Sequence, residues 1–178
     1  MAYLAALLSL TVMTTLTGCS VENSNDPGDA PKTREVHDVE KEAQELSSQI
    51  LEIINLRGKV SEPGPGVALC GEKDSEKYYV IHHPWSVAEV PVEDLRQAMT
   101  RLREEMPKKG WKVTKYGPDQ SPSRSLALKA DSTQKEFSVR IYLYDESRKA
   151  KPEGVSMIYA HLASACFQVP EGKTVEEY

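Results

Sequence analysis

EFSVRIYLYD, from Glu136 to Asp145, alternates apolar and polar residues along its length. Successive side chains of a strand point to opposite faces. Phe137, Val139, Ile141 and Leu143 therefore share one face, and Ser138, Arg140, Tyr142 and Tyr144 share the other. This is the pattern of a strand packed on a core with one side and turned outward with the other. Downstream, Lys149 to Gly154 reads as a turn, and Val155–Phe167 as the next strand. Its inner face is expected to hold Ile158, Ala160 and Leu162, with Met157, Tyr159 and His161 outward. Upstream, Ser125–Ala130 and Trp111–Tyr116 are two more strands, separated by the turn-rich Gly117 to Ser123. Four consecutive strands joined by short turns imply an antiparallel sheet.

Two helices and a fifth strand complete the expected order, α-β-α-β-β-β-β. Val36, Val39, Ala43, Leu46, Ile50 and Ile53 recur at spacings of three and four, predicting a helix over about Thr33 to Arg57, with Gly58 at its C′ position. The same positions fit a heptad seam, but the run is shorter than the three to four heptads a coiled coil requires. Packing onto the chain's own sheet is expected instead. Tyr78 to His83 is a β-type run ended by Pro84. The second helix runs from about Pro91 to Glu105, with Leu95, Ala98, Met99, Leu102 and Met106 on one face, and stops before Pro107. The fold class is α+β: an antiparallel sheet of about five strands with two helices mainly on one face.

The chain has 178 residues, 39% hydrophobic and 28% charged, which suits one globular domain. The net charge of −5 argues against nucleic acid as a partner, since its binders present a basic face to phosphate. No G-x-S-x-G, H-E-x-x-H, Walker A, G-x-G-x-x-G, EF-hand or Cys-x-x-Cys pattern occurs. No cofactor and no metal site is implied, and no catalytic residue is assigned.

Residues Met1 to Gly18 carry no charged side chain, and Tyr3 to Val12 is mostly Ala and Leu. The run is too short to span a bilayer, which takes about 20 apolar residues. It has the form of a secretory h-region followed by small residues. Its end, Leu16-Thr17-Gly18-Cys19, resembles the lipobox of bacterial lipoproteins. The n-region, Met1-Ala2, departs from the usual basic one and leaves the α-amino group as its only cation. The resemblance covers the first nineteen residues alone. It implies removal of 1–18 as a signal peptide and lipidation of Cys19 with a diacylglyceryl group and fatty acid such as palmitate. The protein would then sit on the cell membrane, facing outside the cytoplasm. Two or three acyl chains suffice for stable anchoring. Residues 19–32 are Pro-, Gly-, Asn- and Asp-rich and read as a tether, 33–170 as the domain and 171–178 as a C-terminal tail.

With Cys19 lipidated, Cys70 and Cys166 remain as an even pair, which in an exported protein suggests a disulfide. Two buried free thiols are the alternative.

His82-His83 and His161 are the residues from which a metal or hydrolytic site could be built. Adjacent residues on a straight strand face opposite ways, so His82 and His83 reach one ion only if the strand bends before Pro84. Glu93, Asp94, Glu104 and Glu105 read as solvated charges on a helix, and Trp85 and Trp111 as core anchors. The outward set Arg140, Tyr142, Tyr144, Tyr159 and His161 makes a candidate binding surface, unless loops or a second layer cover it. The leading expectation is a non-catalytic, membrane-anchored binding domain for an envelope protein or envelope component. A secreted hydrolase or metal-dependent enzyme using His82, His83 or His161 is the alternative. A transporter-associated capture lipoprotein is a third, weakened by the lack of a two-lobed size.

Overall fold

The computed structural model describes residues 30–61, 63–148 and 154–175. The lipobox and Cys19 lie outside the described residues. The elements are α1 (Val36–Ile54), β1 (Lys59–Ser61), β2 (Gly66–Leu69), β3 (Tyr78–Ala88), α2 (Val92–Glu105), β4 (Trp111–Pro118), β5 (Leu126–Ser132), β6 (Phe137–Tyr144), β7 (Met157–Ser164) and β8 (Phe167–Gln168). They form an α+β fold with one antiparallel sheet, whose main path is β1-β3-β7-β6-β5-β4, with β2 and β8 also paired to β3. The sheet has eight strands, not about five. The additional strands are short. β1 and β2 have three and four residues in Pro- and Gly-rich sequence, and β8 has two.

The path explains α2. β4 to β7 form a meander that returns to lie beside β3. The link from β3 to β4 must therefore cross four strand spacings, about 19 Å. The fourteen residues of α2 span about 21 Å at 1.5 Å each. A 3-10 turn, Met106–Lys109, extends the helix past Pro107, and Gly110 at φ 84 ends it. The α-helix stops at Glu105 as expected, but Met106 keeps helical angles, because Pro107 falls in the first turn of the new segment, where its missing N–H is needed by nothing.

Both helices bury their apolar stripes against one sheet face. Val39, Ala43, Ile50 and Ile54 of α1 and Leu95, Met99 and Leu102 of α2 meet Ile81, Val87, Val139, Ile141, Ile158 and Leu162 from the strands. Trp111 closes the core near β4, its indole N–H donating to Gln49 Oε1 at 3.1 Å. α1 ends earlier than expected. Asn55 takes the left-handed conformation (φ 49, ψ 51) and donates its N–H to the Leu51 carbonyl, so Gly58 is not the C′ residue. β3 also runs through Pro84 to Ala88, where the sequence suggested a stop. Its neighbours on one edge, β1 and β2, follow registers that differ by one residue, and among the described residues 83–85 have no partner on that edge. A proline without an N–H is tolerated at such a bulge.

Cys70 and Cys166 form a disulfide. The start of the described residues is held separately. Gln168 donates to the Lys32 carbonyl at 2.9 Å, and Arg34 donates to that of Gln168 at 2.9 Å. The last described residue is tied down too, with the Val175 N–H donating to the Glu76 carbonyl at 2.8 Å.

One buried carboxylate locks α1 to the β5–β6 turn. Glu42 accepts from Arg34 at 2.6 Å and pairs with Lys135. Burial pushes its pKa up, but hydrogen bonds and charge from Lys135 and Arg34 prevail, and the net shift is downward. A depressed carboxyl contributes stability above its unfolded pKa that is lost as pH falls through the folded value. The melting temperature should therefore drop as pH is lowered below about 4.5. Glu42→Gln should melt lower than the parent at neutral pH and show a shallower acid decline. Parallel melting curves that keep a constant gap across pH would remove Glu42 from this account.

Candidate functional site

The side of the sheet away from α1 and α2 shows its side chains in rows fixed by register. Pro84, His161, Arg140, Lys129 and Lys115 lie opposite one another across β3, β7, β6, β5 and β4. The next row begins Ser86, Tyr159, Tyr142 and Ala127. Tyr144 lies one row further, opposite Met157. All five sequence-selected residues, Arg140, Tyr142, Tyr144, Tyr159 and His161, thus share one patch. The helices leave it uncovered, because every inward position of β6 and β7 is spent on the core and every outward one faces away from it.

The three tyrosines form one cluster. The rings of Tyr142 and Tyr144 stack with centroids 6.1 Å apart, and Tyr144 and Tyr159 are tilted at 6.2 Å. Tyr144 remains 39% exposed. Burial, then the neighbouring phenols of Tyr142 and Tyr159 and the charge of Asp119, push its pKa up. It stays a protonated hydrogen-bond donor across the neutral range. Clustered tyrosines supply rigid contact area with a polar tip.

Beside them runs a basic row. Lys115 and Lys129 are directly opposed, and Lys129 is directly opposed to Arg140. Like charges in such positions destabilise a sheet. The chain as a whole is acidic, so this row is a local reversal of sign.

His82 and His161 also meet here. His82 Nδ1 lies 2.7 Å from His161 Nε2, with the rings stacked at 4.8 Å. One ring must donate and the other accept, so at most one of the two is charged while they hold this contact. Burial, then the charges of His82 and Arg140, lower the pKa of His161. His83 is on the opposite face, buried beneath α1. The strand does not bend enough to bring it round, and the three histidines do not converge. Among the described residues no group of three His, Cys, Asp or Glu side chains is placed to hold a metal ion. Glu93 and Glu104 are exposed helix charges, paired with Arg96 and Arg103 respectively. Trp85 and Trp111 are both core residues.

Sequence reasoning missed Lys115 and Lys129. Strict alternation over Trp111 to Tyr116 puts Lys115 on the same side as Trp111. A bulge between Val113 and Lys115 reverses this, turning Lys115 outward and laying Tyr116 against the core.

No protein-family model, no curated protein and no solved structure matches this chain.

Proposed function

We propose that this chain is a lipid-anchored extracytoplasmic binding protein whose open sheet face captures an acidic surface of an envelope partner. One observation carries the reading. Three cations, Lys115, Lys129 and Arg140, stand side by side on adjacent strands next to a tyrosine cluster, an arrangement that costs the fold stability. An acidic partner offsets that repulsion, and Tyr and Arg are the residues most enriched where partners bind tightly. The anchor rests on Leu16-Thr17-Gly18-Cys19. Intact-mass measurement of protein from native membranes tests it: a chain beginning at Cys19 with a lipid adduct is expected, and an unmodified Cys19 refutes it.

The surface is tested by a substitution that separates folding from binding. Lys129→Glu places an anion between two cations and should raise stability by about 0.5 kcal/mol. The same change should reduce capture of crosslinked envelope partners about tenfold or more, and the remaining binding should lose its salt sensitivity. Tyr142→Ser with Tyr159→Ser should abolish capture with little change in melting temperature. An unchanged set of captured partners would show that binding lies elsewhere. A large loss of stability in the tyrosine variant would place those rings in the core.

A second reading, hydrolytic or metal-assisted chemistry at His82 and His161, has their 2.7 Å contact in its favour. Two imidazoles are fewer than the three protein ligands of a catalytic zinc site. Zinc titration followed by the histidine ring resonances distinguishes the readings.

A further inference from the structure

Four buried side-chain atoms have no hydrogen-bond partner among the described residues: Ser47 Oγ, His83 Nδ1, Trp85 Nε1 and Arg101 Nε. Ser47, His83 and Trp85 line one cleft of about 260 Å³ between α1 and β3. Their exposures are 5%, 7% and 4%. Buried polar groups are paired in nearly every folded protein, and each exception calls for a cause. Three exceptions in one small space call for a common one.

Chain geometry accounts for the convergence. His83 and Trp85 are two apart on β3 and so face α1 together. Ser47 lies one turn beyond Ala43, whose nearby backbone carbonyl offsets part of the burial that lowers the pKa of the His83 ring. The cleft sits between β1 and β2, beside residues 83–85, which have no edge partner among the described residues. Ser61 and Gly64 belong to its rim. The bulge that admits Pro84 thus also leaves an opening into the layer between helix and sheet.

The chemistry of the walls selects the ligand. Nδ1 is the unpartnered ring nitrogen, and a neutral imidazole that keeps its proton on Nε2 presents a lone pair there. Burial holds the ring below the ordinary histidine pKa, which keeps that lone pair free. Trp85 Nε1–H can only donate, and the Ser47 hydroxyl can do either. Leu51 and Val60 add apolar wall. Among the described residues none of the lining side chains is ionised at neutral pH. The volume is below the ~300–1,000 Å³ typical of drug-sized ligands.

We infer that this cleft binds a small neutral amide, its carbonyl accepting from Trp85 Nε1–H, its N–H donating to His83 Nδ1, and Ser47 completing the set. This goes beyond the sheet-face reading and does not depend on it, because the two sites lie on opposite sides of the sheet. The amide has two sources of the same chemistry: a free small amide, or the acetamido group of an amino sugar.

The test is an NMR titration of the full-length chain, following the two tryptophan indole N–H resonances, with Trp85→Phe identifying its own signal. The probes are acetamide, the methyl glycoside of N-acetylglucosamine, and methyl acetate, which accepts but cannot donate. Saturable shifts of the Trp85 signal with either amide, and not with methyl acetate, are expected. A tighter response to the sugar assigns the acetamido source, and a response to acetamide alone assigns the free amide. Ser47→Ala, a change that suits a helix, should weaken binding about tenfold, the value of one hydrogen bond. No saturable shift with either amide, or equal shifts with methyl acetate, overturns the inference and leaves the cleft to ordered water. An unaltered affinity in Ser47→Ala also overturns the three-point assignment.

Discussion

Replacing Cys70 and Cys166 with serine is expected to lower stability by about 4–5 kcal/mol, the chain-entropy value for a closed loop of this size. The two cysteines are 96 positions apart. The loop they close contains β3, α2 and the whole β4–β7 meander, so its opening releases most of the sheet into a much larger unfolded ensemble. For a chain of this length the melting temperature should fall by roughly 10–20 °C. The bridge is also placed where it does local work. Leu69 of β2 and Phe167 of β8 are both opposite Tyr79, so these strands flank β3 on its two sides. Cys70 and Cys166 stand immediately beside them and tie the two flanks together. Thermal melts with and without reductant provide the measurement. The parent should drop to the level of the double serine variant when reduced, and the variant should not respond. A parent that melts at the same temperature in reductant would show that packing alone holds the sheet. The result bears on compartment as well, since a domain with this dependence loses it in a reducing cytosol.

Much of this architecture was legible because strand alternation is a strong signal when one face is buried. β6 and β7 carry it cleanly, and Ile158, Ala160 and Leu162 are buried as their spacing predicts. The tyrosine patch follows from the same alternation. What sequence could not show were features that depend on a neighbour. The bulge at β4 reverses the sense of Lys115, and only the pairing with β5 reveals it. β1 and β2 are recognisable as strands only through β3, which supplies their partners. The orphaned Ser47 hydroxyl is a helix-face serine in the sequence. Nothing in its spacing records that His83 and Trp85 lie across from it without bonding to it.

Gly58 belongs to the same class, and its substitution carries the second large expected effect. As a helix terminator it would tolerate asparagine and need a positive φ. In the folded chain Asn55 takes that conformation, and Gly58 answers to a different constraint. A Cβ at position 58 would sit 2.4 Å from the Ala88 carbonyl oxygen, 2.9 Å from Val90 Cγ1 and 3.1 Å from Val87 Cγ1. The valine methyls can rotate or shift, but the carbonyl belongs to the last residue of β3, paired with Lys59, and cannot. Gly58→Ala must therefore push β1 away from β3. The cost should lie near the upper end of the overpacking range, about 2–3 kcal/mol, or a fall of roughly 5–10 °C in melting temperature. Gly66→Ala is the matched control, since a Cβ there meets nothing within 4 Å and its change should stay within about 0.5 kcal/mol. Equal melting of the two variants would mean that the edge strand yields without resistance. The displacement has a local consequence too. β1 carries Val60 and Ser61, which line the cleft over His83 and Trp85. Displacing them should raise solvent exchange at the Trp85 indole N–H while leaving the Trp111 indole, bonded to Gln49 on α1, protected. Exchange that rises equally at both indoles would mean that the strain spreads through the core instead of staying at the edge.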